Sequence, residues 1–96
     1  MNIVNVAGRL VNDVAVKMTN DNRTYCFITV AVNMSKDKTE FLDFTCFGKT
    51  AEIVGQYCRK GDPIAVQGYV HKNGKEKEYR LCLIAEKVTM LGSRKE

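Results

Sequence analysis

Apolar side chains recur at every second position along several short runs of this chain, and this alternation limits the fold more than any other feature. In the run Phe41–Phe47, Leu42, Phe44 and Cys46 share one side of an extended strand, while polar and aromatic residues share the other. A period of two residues is typical of a β-strand with one buried face. The same reasoning predicts five strands, at 2–11, 25–33, 41–47, 64–71 and 79–91.

One segment, Lys49–Gly61, has the periodicity of a helix instead. Its apolar positions form a single stripe, which predicts a short helix whose Tyr57 packs in the core. We expect Gly61 to end this helix, with the two basic residues before it next to the negative helix end. The stripe consists of Ala51, Val54, Tyr57 and Cys58.

The predicted order is three strands, one helix and two strands. This order matches the OB-fold, a five-stranded Greek-key barrel with its helix between strands three and four. A small SH3-like barrel also has five strands, but the helix favours the OB-fold. The 96 residues suffice for one all-β domain of this kind, which we expect to span residues 1–96.

Polar segments separate the predicted strands. Thr19–Thr24 is a turn signal, and Asn73–Gly74 is typical of a hairpin. Pro63 is expected at the first residue of the fourth strand, where a missing N–H is tolerated. Residues 92–96 form a polar end.

The four cysteines stand singly in apolar runs, without a Cys-x-x-Cys pair. We therefore expect buried, reduced thiols and no zinc site. No apolar run approaches the roughly 20 residues that cross a bilayer, and the first residues lack a signal-peptide pattern. These features predict a cytoplasmic protein with no membrane partner, no metal and no cofactor.

The segment Gly48–Thr50, Gly-Lys-Thr, matches the end of a phosphate-binding P-loop. The complete motif needs another glycine five residues earlier, and Asp43 stands there. An OB-type nuclease is the enzymatic alternative, but Asp43 has no acidic partner at a usable spacing. His71, the one histidine, stands among lysines without a catalytic partner. No enzymatic activity is predicted.

Aromatic residues on the polar side of the strands suggest a nucleic-acid ligand. Phe41 and Phe47 share a face with Asp43, which a buried core does not explain. Exposed rings of this kind stack on nucleic-acid bases of any sequence. The alternation leaves Tyr25 and Phe27 undecided. The predicted stacking residues are Phe41, Phe47, Tyr69 and, more weakly supported, Tyr79.

Basic residues cluster in the loops beside these aromatics, and the net charge is +4. Cations interleaved with aromatics form a groove that can follow a phosphate backbone. The alternative is that these loops are only solvated, since Glu40, Glu76 and Glu78 offset part of the charge. The predicted phosphate contacts are Arg9, Lys36, Lys38, Lys49, Lys60, Lys72, Lys75 and Lys77.

Five segments together resemble the bacterial single-stranded DNA-binding proteins. They are NVAGRL, FITVAVN, DFTCFGKTAEIVGQYCRKGD, VQGYV and EKVTMLG, and they cover nearly the whole chain in the family's order. The most specific part is F-G-K-x-A-E followed by Y-x-x-K-G. The resemblance places Gly-Lys-Thr at the entry to the family's helix.

The resemblance implies an OB-fold that binds single-stranded DNA without sequence preference during replication, recombination or repair. It also implies a homotetramer, with Ile3, Asn5 and Ala7 near a two-fold axis. Lys49 and Lys60 match basic positions that the family uses, and Phe41 and Phe47 match its stacking positions. A homodimer and RNA binding stay open.

The chain departs from the family pattern in three respects. It has no tryptophan, its hairpin loops are short, and it lacks the acidic tail with which family members recruit repair partners. The chain is expected to be either part of a longer protein or a naturally short form, encoded by a bacterium, phage or plasmid or associated with competence. A primosome-type dimeric OB protein, which acts mainly by protein–protein bridging, is the alternative function.

Overall fold

The computed structural model describes residues 1–75 and 77–92, so Glu76 and most of the predicted polar end lie outside the described residues. Strands occupy nearly all of the predicted runs. The elements are β1 (Val4–Leu10), β2 (Lys17–Met18), β3 (Thr24–Ser35), β4 (Lys38–Phe47), α1 (Gly48–Tyr57), β5 (Pro63–Asn73) and β6 (Arg80–Met90).

Five of these strands close into a barrel. The order around it is β1–β3–β4–β6–β5, and β5 returns to β1. The β4–β6 pair is parallel and the other pairs are antiparallel. Together with the helix between β4 and β5, this arrangement is the predicted OB-fold. The additional β2 is a two-residue strand at the edge of β3, too short to give an alternation signal.

Two glycines allow the strands to approach closely where the barrel closes. A Cβ atom on Gly8 would overlap the carbonyl oxygen of Ala31, where β1 changes partner from β5 to β3. A Cβ atom on Gly68 would overlap the carbonyl oxygen of Ile84, next to a bulge in the β5–β6 pair. Glycine is therefore required at both positions for steric reasons.

The core is filled from the face that the alternation predicted. Phe44 and Cys46 of β4 are buried, and Leu42 packs against them. β3 and β5 contribute their even-numbered apolar residues, and α1 covers one end of the barrel with Ala51 and Val54. The other buried members of the core, including those of β3 and β5, are Leu10, Cys26, Ile28, Val30, Cys58, Ile64, Val66 and Ala85.

The prediction for the end of the helix was wrong. The helix ends at Tyr57, and Cys58 has an extended backbone, so Gly61 lies in the turn that follows. Tyr57 is 52% exposed and not in the core. Each helical residue turns about 100°, so Tyr57 lies about 120° around the axis from Ala51. The guanidinium of Arg59 donates to the carbonyls of Gly55 and Gln56, which satisfies part of the helix end.

Three of the four cysteines are buried, as predicted, whereas Cys82 is half-buried. Cys26 and Cys46 are paired neighbours on β3 and β4. A hydrogen bond with the Cys26 thiol and burial raise the pKa of Cys46 well above its ordinary value. Cys46 is therefore an inert core thiol at neutral pH.

Asp62 ties the turn after the helix to the end of β1. Its buried carboxylate accepts a hydrogen bond from the backbone N–H of Arg59 at 2.8 Å. The Asp62 carbonyl accepts from the N–H of Leu10 at 3.0 Å, and the Leu10 carbonyl accepts from Gly61 at 2.7 Å. This network fixes the helix, the turn and β1 relative to one another.

Candidate nucleic-acid interface

A row of side chains crosses four strands on the outer face of the barrel. Phe27 of β3 is paired with Thr45 of β4, Thr45 with Ile84 of β6, and Ile84 with Tyr69 of β5. Neighbouring strands lie about 4.8 Å apart, so the row spans roughly 14 Å. It therefore places an aromatic ring at each end, with Thr45 and Ile84 between them.

This row lies in an open groove with a volume of about 540 Å³. Phe27 is 54% exposed and Phe47 is 41% exposed, although both are large apolar side chains. Such exposure leaves ring faces available to a flat ligand. The lining residues are Thr19, Tyr25, Phe27, Thr45, Phe47, Tyr69, His71, Asn73, Cys82 and Ile84.

The rings along one wall are held in fixed positions. Tyr25 meets Phe27 edge to face, with ring centroids 5.7 Å apart. The guanidinium carbon of Arg23 lies 5.7 Å from the centre of the Phe47 ring, within cation–π distance. Tyr25 is paired with Phe47 across β3 and β4. One cation and three rings therefore form this wall.

A hydrogen-bonded turn positions Arg23. The Thr19 N–H donates to the Arg23 carbonyl at 2.9 Å, and the Arg23 N–H donates to the Thr19 hydroxyl oxygen at 3.0 Å. The Thr19 hydroxyl donates to Asp21 and lowers the pKa of that carboxyl, to which Arg23 also contributes. The turn predicted at Thr19–Thr24 is therefore the segment that presents a cation to the groove.

Phe41 extends the same face beyond the groove. It is 62% exposed and lies on β4 with Asp43, Thr45 and Phe47. Six residues of strand separate it from Phe47, a distance of about 20 Å. The structure thus places Phe41, Phe47 and Tyr69 on one continuous outer face, with Phe47 and Tyr69 inside the groove.

Tyr79 does not line the groove. Its ring lies beneath the amine of Lys72, 4.3 Å from the ring centre. Lys72 points to the face of β5 opposite Tyr69, because the two are an odd number of residues apart. Of the four predicted stacking residues, Tyr79 is the one that the structure does not bring to the shared face.

The predicted phosphate-binding residues are exposed but dispersed. One group is at the β3–β4 hairpin tip near Phe41, where Lys38 forms an ion pair with Glu40 at 3.4 Å. A second group surrounds the β5–β6 hairpin, where Lys75 and Lys77 lie beside Glu78. The hairpin groups comprise Lys36 and Lys38 at the first tip and Lys72, Lys75 and Lys77 at the second.

The remaining predicted cations lie away from the groove. Arg9 donates to the carbonyl of Gly61 at 3.0 Å and points to the turn after α1, where Lys60 also lies. Lys49 is exposed in the first turn of α1. None of these three residues lines the groove.

Sequence reasoning missed two residues that line the groove and the cation beside one of its rings. It left Tyr25 and Phe27 undecided and did not consider Arg23. The signal was present for Phe27, since its neighbours Cys26 and Ile28 are apolar and the alternation places Phe27 opposite them. Arg23 over Phe47 depends on how the β2–β3 turn folds, which the strand periodicity does not determine.

Comparison with known proteins assigns the chain to a family. The model of the "Single-strand binding protein family" matches residues 1–91. This chain belongs to that family. The match includes every strand and the helix of the barrel, and with them all the residues that line the groove.

Three curated relatives, each named single-stranded DNA-binding protein, are similar to the chain. The Fusobacterium nucleatum protein is 35% identical, over 81% of this chain and 56% of the relative. The Xanthomonas campestris protein is 34% identical, over 100% and 63%. The Treponema pallidum protein is 29% identical, over 97% and 59%. The chain therefore spans less than two thirds of the length of these relatives.

The residues predicted at a subunit interface lie within β1 or directly before it. Ile3 directly precedes β1, and Asn5 and Ala7 are exposed within it. One edge of β1 pairs with β5, and the other edge pairs with β3 only at Arg9 and Leu10. From Val4 to Gly8, this second edge pairs with no other strand among the described residues.

Within residues 1–75 and 77–92, no cluster of His, Cys, Asp and Glu side chains has the arrangement of a metal site. In the same part of the chain, the helix is too short and too polar to cross a membrane.

Proposed function

We propose that this chain binds single-stranded DNA along the outer face of the barrel, by stacking bases on its exposed rings. The observation that carries the proposal is the transverse row from Phe27 to Tyr69, with Phe47 beside it in an open groove. Family membership supports the same ligand. In this proposal, lysines of the two hairpins contact phosphates on either side of the stacked bases.

The groove favours an unpaired strand for a physical reason. A duplex keeps the faces of its bases stacked on one another, so side chains reach only their edges and the phosphates. A single strand can turn its bases onto the rings, and each stacked base contributes about 1–3 kcal/mol. Every base has such a face, so most of the affinity is independent of sequence.

The function that follows is coverage and protection of exposed DNA during replication, recombination or repair. The chain acts by binding and not by catalysis, in the cytoplasm of a bacterium or as a phage- or plasmid-encoded protein. RNA is a second ligand, because stacking does not distinguish the two sugars. Recruitment of repair proteins through an acidic tail is no part of this proposal.

Assembly through β1 is part of the proposal. The free edge of β1 between Val4 and Gly8 carries backbone donors and acceptors that a second copy can pair with. Ile3, Asn5 and Ala7 then lie near a two-fold axis, and two such dimers complete a homotetramer. The exposed apolar side chain of Ile3 favours this contact.

Replacement of single rings tests the stacking mechanism. Phe47→Leu keeps an apolar side chain of similar bulk but removes the π-face, and we expect affinity for oligo-dT to fall about tenfold, within the range for one lost stack. Tyr57→Leu is the matched control, because Tyr57 is an exposed ring on α1 outside the groove. Equal losses in both variants would contradict the proposal.

A further inference from the structure

A carboxylate lies on the outer face of β4, among the exposed rings. Asp43 is exposed and lies between Phe41 and Thr45 on the outer side of β4. Among the described residues it forms no ion pair. A free carboxylate on a surface for a polyanion repels every phosphate that approaches it. The strand must therefore pass Asp43 with its bases, and not its backbone, toward this side chain.

The carboxylate is held in one position. The Thr29 hydroxyl, directly across on β3, donates to Oδ1 of Asp43 at 2.6 Å. The backbone of Thr29 is fixed in turn, because its N–H donates to the Asn12 side-chain oxygen at 2.8 Å and its carbonyl accepts from Val11 at 2.9 Å. The Asn12 amide also donates to the carbonyl of Phe27 at 3.1 Å.

The hydrogen bonds of Asn12 and Thr29 therefore hold both the Asp43 carboxylate and the backbone of Phe27 in place. Phe27 and Asp43 are diagonal neighbours across the β3–β4 pair, and Phe41 is two positions from Asp43 along β4. Diagonal neighbours lie about 7–8 Å apart, within reach of a long or flat group. A purine stacked on either ring can direct its edge at the Asp43 oxygens.

We propose that Asp43, positioned by Thr29, reads the edge of one base and prefers guanine there. An ionised carboxylate has two oxygens that only accept hydrogen bonds. Guanine alone presents two adjacent donors, N1–H and the 2-amino group, on the edge that single-strand readers contact. Thymine offers one N–H between two carbonyl oxygens, and cytosine and adenine each pair a donor with an acceptor.

This inference rests on the proposed function and adds to it. Stacking and phosphate contacts give affinity for any sequence, and Asp43 adds a preference at one base position. Two hydrogen bonds from one side chain to the edge of one base provide a preference of this kind.

The test compares oligonucleotides of about 15 nucleotides, near the upper site size for one OB-fold. The probes are repeats of TTG, the same repeats with inosine for guanine, and oligo-dT. Inosine keeps the purine ring and N1–H but lacks the 2-amino group. We expect the guanine repeat to bind about fivefold more tightly than the inosine repeat, the lower end for a bidentate contact.

Substitutions then assign the preference to Asp43. Asp43→Asn is isosteric, and the ratio of guanine to inosine affinity should fall to about one while affinity for oligo-dT rises. Thr29→Val should lower the ratio, and Thr29→Ser, which keeps the hydroxyl, should preserve it. Glu52→Gln removes a charge from α1 outside the groove and should leave the ratio unchanged.

The outcomes separate the two proposals. If the native chain binds all three probes equally, or if Asp43→Asn keeps the guanine preference, the base-reading role is wrong and the proposed function stands. If the native chain binds none of the probes, the proposed function itself fails.

Discussion

Phe27 and Tyr79 are both half-exposed aromatic residues, but the structure gives them different surroundings. Phe27 lies in the groove beside Tyr25, whereas Tyr79 lies outside it beneath the Lys72 amine. Exposure alone therefore does not identify a stacking residue. The neighbours on the same face decide which rings a strand of DNA can contact together.

This difference predicts opposite results for two alanine variants. Phe27→Ala should lower affinity for oligo-dT about tenfold, because one base loses its stacking partner. Tyr79→Ala should change affinity by less than about twofold, since that ring does not face the groove. Fluorescence anisotropy titrations at one salt concentration measure both. A larger loss from Tyr79→Ala than from Phe27→Ala would contradict the assignment of the groove.

At the scale of elements, the period-two pattern predicted the strands and the buried side of each because one face packs in the core. The pattern could not predict the end of the helix. Tyr57 looked apolar enough for the core, but the chain leaves the helix at Cys58, and backbone hydrogen bonds to β1 set that exit. The position of Arg23 over the Phe47 ring depends on turn conformation and on strand register, which local periodicity does not encode.

The Asp62 network predicts a large effect on stability at the helix exit. Asp62→Ala leaves the Arg59 N–H without its carboxylate acceptor, and the free energy of unfolding should fall by about 1–3 kcal/mol. Urea unfolding at fixed protein concentration measures this. Asp13→Ala is the control, because Asp13 is an exposed carboxylate on the loop after β1. Equal effects of the two substitutions would show that the network does not hold the turn.

The buried thiol pair predicts a pH effect on stability. The pKa of Cys46 is raised in the folded chain above the ordinary value of 9.0, so the folded state holds this proton more tightly than the unfolded state does. This contribution is fully present below pH 9.0 and is lost as pH rises above it.

The comparison with Cys46→Ala measures the net effect of this thiol, including the hydrogen bond through which it lowers the pKa of Cys26. Between pH 9 and 10.5, the free energy of unfolding should fall more steeply with pH in the native chain than in the variant, although the variant is less stable throughout. In the folded native chain, iodoacetamide should modify half-buried Cys82 before Cys46. Parallel pH profiles, or modification of Cys46 before Cys82, would contradict the raised pKa and the burial of Cys46.

At the scale of the whole molecule, the proposals concern two surfaces of the described residues. The groove face carries the exposed rings, and the edge of β1 from Val4 to Gly8 pairs with no other strand in this part of the chain. The sequence indicated both surfaces through its alternation and its family resemblance. The positions of the basic residues around them required the structure, because Arg9 and Lys60 both lie at the turn after α1, away from the groove.

If copies of the chain assemble through β1, substitutions in β1 should lower the mass of the assembly. Replacing both Asn5 and Ala7 with Asp places like charges near the proposed two-fold axis, where they repel each other. Sedimentation analysis should show a tetramer for the native chain and smaller species for the double variant. Gln56→Glu, on the exposed side of α1, should keep the native mass. A native monomer, or a double variant of unchanged mass, would contradict assembly through this strand.

The most direct test of single-strand binding is anisotropy of a labelled oligo-dT of about 35 nucleotides, long enough for at least two OB-folds. The titration is repeated over a range of salt with unlabelled duplex DNA as competitor. We predict that the single strand binds orders of magnitude more tightly than the duplex. The logarithm of affinity should fall with the logarithm of salt, with a slope of about −0.7 for each phosphate neutralised. Equal competition by duplex DNA, or no binding at low salt, would contradict the account.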